Sequence, residues 1–207
     1  MTTQASARPA QHGLPDTARL DRCRRCELWR NATHGVPGEG PRHARVMLVG
    51  EQPGDQEDLA GHPFVGPAGH LLDRALLAAG LAREDVFVTN AVKHFKWEPR
   101  GKRRMHKTPA QREIDACMTW LEQELEEVKP EVIVALGSTA LKSLTKTSKV
   151  SLGKLMDQPI TVGTRHIIAT YHPSYVLRVP DGDARAAAFA RMVEALQRAR
   201  SRAGMDR

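Results

Sequence analysis

The chain has 207 residues, 41% of them hydrophobic and 27% charged, which suffices for one substantial core and leaves no stretch marked as a second domain. Thirty-one Lys and Arg against 24 Asp and Glu give a net charge of +7, which suits a polyanionic partner. No run of about 18 apolar residues is present, so no helical membrane span is expected; the opening MTTQASARPAQHGLP lacks the apolar core of a secretory signal, and a cytoplasmic protein is expected.

Residues 1–14 are polar, contain proline and show no period, so a flexible tail is expected there and a single domain over 15–203. The first helix is expected after Pro15. Residues 45–50, RVMLVG, read as a short apolar strand ending in glycine, and EQPGDQEDLAGHPFVGPAG follows as a loop rich in Gly, Pro and acids. From Ala68, AGHLLDRALLAAG sets Leu71, Leu72, Ala75, Leu76 and Ala79 on one helical face, and Gly80 ends that helix. DVFVTN, residues 85–90, is a second strand. A basic loop comes next, then a long helix over about 109–128 with Thr108 as cap and proline in its first turn. Residues 131–137, EVIVALG, give a third strand, and a helix starts near Ser138. HIIATYHPS, from His166, begins as a fourth strand, and a last helix covers about 183–200. Continuous apolar runs suit buried parallel strands. Their alternation with helices implies an α/β sheet covered on both faces.

In such sheets ligands bind outside the carboxyl ends of the strands, which gathers residues 50–58, Asn90, the basic loop and His172 at one edge. GEQPG presents Glu51 and Gln52 on a turn, with Gly54 allowing close backbone approach; an acidic surface turn would look the same. Phe64 is a core plug or a platform on which a flipped base stacks. Asn90 caps a strand end or reads a pyrimidine edge, because its amide both donates and accepts. In HPSYVLR, His172 is structural or catalytic, and Tyr175 and Leu177 are core residues or a wedge into a duplex. His106 lies among Lys102, Arg103, Arg104 and Lys107. Either it is incidental to a solvated basic loop, or the cations keep the ring neutral and hold a polyanion against its lone pair. Residues 98–107 carry five cations and one anion, and residues 51–58 carry four anions and no cation, so basic clamp and acidic turn are separate in sequence.

Three cysteines are an odd number for a disulfide framework. Ligation explains them better. Cys23 and Cys26 in CRRC, with Cys117 and with His94 from NAVKHF as a fourth, suggest zinc or an iron–sulfur cluster.

As an ordered set, GEQPGDQEDLAGHPFVGPAG, TNAVKH, the long helix with Cys117, VIVALG and HPSYVLR resemble family 4 uracil-DNA glycosylases over roughly residues 23–178. The glutamine of GEQPG and the KRRMHK segment resemble the UdgX branch, whose members release uracil and then become covalently joined to the abasic DNA through a loop histidine. The resemblance implies a three-layer αβα sandwich around a mainly parallel, four-stranded sheet. It implies that His106 attaches to the sugar, that Glu51 orients the ring and takes its proton, and that His172 stabilises the departing base at O2. Gly50, Gln52 and Asp55 would shape the site, Glu57 would lie near C5, Phe64 would stack and Asn90 would read N3 and O4. Lys102, Arg103, Arg104, Lys107, Ser174 and Arg178 would hold DNA, with Tyr175 or Leu177 in the gap. A 4Fe–4S cluster on Cys23, Cys26, His94 and Cys117 is implied, the histidine standing where ordinary members have a cysteine; zinc is the alternative. The partner would be uracil-containing DNA, single-stranded or duplex, met by a monomer away from any membrane. Two other readings stay open: a conventional turnover glycosylase, and a noncatalytic zinc-containing nucleic-acid binder.

Overall fold

The apolar run after Arg45 forms strand β1, Val46–Gly50, and every residue in it is buried, as a strand covered on both faces requires. The computed structural model describes residues 14–147, 149–156 and 158–206; of the tail expected over 1–14, all but Leu14 lies outside them. Helix α1 (Thr17–Asp21) precedes β1. After it come α2 (Asp55–Ala60), α3 (Pro67–Ala78), β2 (Val86–Asn90), the short strands β3 (Trp97–Arg100) and β4 (Arg103–His106), and the long α4 (Gln111–Val128). Then follow β5 (Val132–Leu136), α5 (Ser138–Thr145), α6 (Leu152–Leu155), β6 (Ile160–Val162), β7 (Arg165–Thr170), α7 (Pro173–Arg178) and α8 (Gly182–Arg202).

The main sheet runs β2-β1-β5-β7-β6. The four strands legible in the sequence are its parallel part, and β6 adds an antiparallel fifth at the edge through Ile160↔Ile167 and Val162↔Arg165. A three-residue strand is too short to show a period, which hid it. Alternate side chains serve opposite faces. Val46, Leu48, Val88 and Val134 meet Leu72 and Leu76 of α3 and Met192 and Leu196 of α8. Met47, Val49, Phe87 and Ile133 meet Leu121 and Leu125 of α4 and Leu141 of α5. Helices on both faces make the three-layer αβα sandwich.

Two local readings change. Helix α4 starts at Gln111 rather than near Pro109, because the Glu113 carboxylate accepts the Ala110 amide (2.7 Å) and supplies the cap assigned to Thr108. The acidic segment after Gly54 is helix α2 rather than loop, with Asp55 and Glu57 in its first turn, where the helix dipole favours anions. The chain leaves β1 toward β2 on one side and returns through β5 on the other. A cleft opens at that reversal of strand order.

Candidate active site

The cleft holds about 740 Å³ and is walled by Glu51, Phe64, Asn90, His106, Gly137 and His172, together with the exposed Met105, Tyr175 and Arg178. Each of β1, β2, β5 and β7 delivers part of the wall from its carboxyl end. Gly50 ends β1, and a Cβ there would lie 2.4 Å from Asn90 Oδ1 and 2.6 Å from Phe64 Cζ. Only glycine lets those two groups close on the strand. Phe64 is buried with φ +55°, a backbone conformation that costs about 1–3 kcal/mol for a non-glycine residue and persists where the surroundings impose it. Its ring centroid is 6.1 Å from that of His172. Among the described residues Asn90 Oδ1 is a buried acceptor without a hydrogen-bond partner, so it is free to accept one from a ligand.

His172 begins α7, and its Nδ1 accepts the Ser174 amide (3.1 Å). The neutral ring therefore carries its proton on Nε2. Burial pushes this imidazole down to about 4, against the pull of Glu51 and helped by His106 and Arg178, so at neutral pH it is an uncharged donor. Ser174 acts in that turn. Tyr175 lines the cleft stacked on Tyr171 at 4.8 Å, whereas Leu177 is exposed and outside the wall.

His106 lies on a hairpin. The segment read as a basic loop folds as β3 and β4, which pair Trp97↔His106 and Pro99↔Arg104. Its charges then separate. His106 Nε2 meets Glu51 Oε1 at 3.1 Å, and Thr139 Oγ1 donates to Glu51 Oε2 (2.5 Å). Burial pushes the Glu51 carboxyl up, but the hydrogen bonds from His106 and Thr139 and the nearby imidazoles outweigh it, so it sits below the ordinary carboxylate value. Arg104, expected on DNA, is turned inward: it donates to Asp55 Oδ1 (2.5 Å) and to Oδ2 of the fully buried Asp58 (2.6 Å), and lies over Phe95 and Trp97. Lys107 pairs with Glu98 (2.6 Å), while Lys102 and Arg103 are exposed. Gln52 lines the cleft and at the same time staples the hairpin, donating to the Lys96 and Lys107 carbonyls (3.2 and 3.1 Å) and accepting the Lys96 amide (3.0 Å). Glu57 lines the cleft but spends its oxygens on the Gly54 and Gly66 amides (3.0 and 2.7 Å). Thr139 was missed; a threonine one residue into a helix carries no distinctive signal.

The thiols gather away from the cleft. Cys26 packs on the cluster of Leu28, Val92, Ile114 and Cys117, and Cys23 Sγ accepts from Trp120 Nε1 (3.3 Å) one turn beyond Cys117. Cys117 Sγ accepts the Lys93 amide (3.2 Å). Burial pushes the His94 imidazole down, while Asp21, Asp58 and the Leu20 carbonyl pull it up; that carbonyl accepts the Cys23 amide (2.8 Å). Among the described residues, no three His, Cys, Asp or Glu groups stand as ready metal ligands. The donor set nevertheless suits a thiolate-bound metal. Sulfurs met by N–H donors are prepared for negative charge, and burial pushes the Cys117 thiol up to about 12, so only a bound cation would hold it as thiolate.

A profile of the family described as the Uracil DNA glycosylase superfamily matches residues 37–197. The type-4 uracil-DNA glycosylase of Thermotoga maritima is 44% identical over 161 residues, covering 77% of this chain and 80% of that protein. The type-4 uracil-DNA glycosylase of Pyrobaculum aerophilum is 40% identical over 168 residues, covering 78% and 82%. A type-5 uracil-DNA glycosylase of the same organism is 33% identical over 171 residues, covering 73% and 70%. With the matched span holding every strand of the sheet and every wall of the cleft, the chain belongs to the uracil-DNA glycosylase superfamily.

Proposed function

We propose that the protein excises uracil from DNA and then bonds to the abasic sugar through His106. The observation that carries the second step is the His106–Glu51 contact of 3.1 Å on the wall of the same cleft as Asn90, Phe64 and His172. Uracil must leave the stack to be reached, at a cost of a few kcal/mol. Stacked on Phe64, it offers N3–H to the unpartnered Asn90 Oδ1 and O4 to the Asn90 amide N–H. Cytosine has the opposite pattern and would leave buried groups unpaired.

The bond from C1′ to N1 breaks with both electrons leaving on uracil, and the Nε2–H of neutral His172 stabilises the anion at O2. The sugar becomes oxocarbenium-like. A neutral imidazole has one N–H and one lone pair; with the N–H of His106 against Glu51, the lone pair forms the bond to C1′ and the proton passes to the carboxylate. Lysine and arginine, held protonated, have no lone pair to give. The product is a stable adduct, one per protein molecule.

Cys23, Cys26, His94 and Cys117 would hold a 4Fe–4S cluster, which would cross-link the chain structurally. The second reading is ordinary turnover, in which water takes the place of His106; it is favoured by the type-4 names of the similar proteins. A denaturing gel after mixing with a single-uracil oligonucleotide decides between them. The adduct should survive denaturation in the wild type, disappear in His106→Ala, and give way in His106→Ser to free abasic DNA beyond one equivalent. Undiminished cross-linking by either variant sinks the assignment.

A further inference from the structure

Lys93 is fully buried, yet the chemistry above does not use it. Its side chain folds back over the turn that leaves β2, and Nζ donates to the Asn90 carbonyl (2.9 Å), to Thr89 Oγ1 (2.6 Å) and to Glu124 Oε2 (2.6 Å). Both side chains of the Lys93–Glu124 pair are 0% exposed. Glu124 is itself held, accepting the Thr89 hydroxyl (2.7 Å) and the Gly38 amide (2.8 Å).

A buried ion pair is a poor way to gain stability. Desolvation of the two charges offsets their attraction, and apolar side chains of similar volume do as well or better. What this pair does is local. The ammonium donates to the Asn90 carbonyl, while the next two amides, Ala91 and Val92, donate to the Gly50 and Glu51 carbonyls (2.9 Å each). Among the described residues Asn90 Oδ1 has no hydrogen-bond partner, so nothing bonded to that oxygen there aims the side chain. Its aim is inherited from the main chain.

We propose that Lys93 is a positioning residue for base recognition: its ammonium, braced by Glu124 and Thr89, fixes the Asn90 peptide so that the side-chain amide faces the uracil edge. This rests on the uracil-reading role of Asn90 given above.

Lys93→Met alone would strand Glu124 in the core, so the test uses Lys93→Met/Glu124→Gln, in which the glutamine can accept the Gly38 amide and donate to Thr89. With the full chain and a single-stranded oligonucleotide carrying one uracil, single-turnover uracil release should fall about tenfold and free uracil should inhibit about tenfold more weakly. The DNA concentration giving half the maximal rate should stay within about twofold, since phosphate contacts are untouched. Added to Asn90→Ala, the same two substitutions should cause no further loss, because the group they aim is gone. Losses that multiply in that background, or wild-type release by the paired variant, would overturn the inference. Absence of uracil release by the wild type would instead overturn the uracil reading itself. Should the paired variant not fold, Thr89→Val, which removes one of the three acceptors, is expected to slow release about threefold, again only with Asn90 present; undiminished release there overturns the proposal equally.

Discussion

At the scale of single residues, burial decides the chemistry of His172. Its lowered value means that the unfolded chain binds this proton more readily than the folded one. Its contribution to stability is therefore complete above the ordinary histidine value of about 6.5, declines as pH falls, and is gone below about 4. That window corresponds to about 3 kcal/mol. Urea unfolding at pH 7.5 and at pH 4.5 should show a drop that His172→Asn reduces by most of that amount; an equal drop in the variant would refute the burial argument. The residue types of the site were legible: Glu51, Phe64, Asn90, His106 and His172 all line one cleft. Roles within the same segments were harder to read. Gln52 precedes α2 and Asp55 and Glu57 stand in its first turn, and a sequence cannot show that a carboxylate or amide is already engaged by backbone amides or by an arginine distant in the chain.

At the scale of elements, the hairpin β3–β4 departs most from expectation. WEPRGKRRMH has few β-formers and a proline, so propensity reads it as loop. Arg104 supplies what propensity lacks, fastening the hairpin to α2 through Asp55 and Asp58. Arg104→Ala would leave Asp58 buried without its cation, at a cost of about 3 kcal/mol. The hairpin should loosen with it, and cross-linking to uracil DNA should slow about tenfold or more, because His106 would no longer be held at Glu51. Arg104→Lys should not rescue either loss, since an ammonium cannot reach both carboxylates as the guanidinium fork does. Thermal melting and single-turnover gels check this; a variant that keeps both stability and cross-linking would make the pairing incidental.

Across the whole molecule, the net charge of +7 does not act as one clamp. Lys102 and Arg103 are exposed, and Arg104 is committed within the fold. Lys102→Ala and Arg103→Ala should each lower the salt slope of DNA affinity by about 1, and Arg104→Ala should not. Equal slopes for all three would show that the inward arginine still reaches phosphate. The thiols join the segment before β1 to the turn after β2 and to α4. Protein purified without air should carry about four irons, and Cys117→Ser should lose them and melt earlier; zinc without iron would overturn the cluster and leave the His106 chemistry in place. Apolar runs, glycine stops and the order of motifs were enough to determine an α/β sheet, its four parallel strands and the edge at which the cleft opens, because strand periodicity and crossover handedness are local consequences of side chain and backbone. The family resemblance implied that Glu51 meets the His106 ring, as the structure has it, but only the tertiary structure decided that Arg104 turns inward to Asp55 and Asp58 and holds the hairpin there. Those pairings join residues some 46 to 55 positions apart, and no local pattern records which charge in a run will be desolvated against which partner.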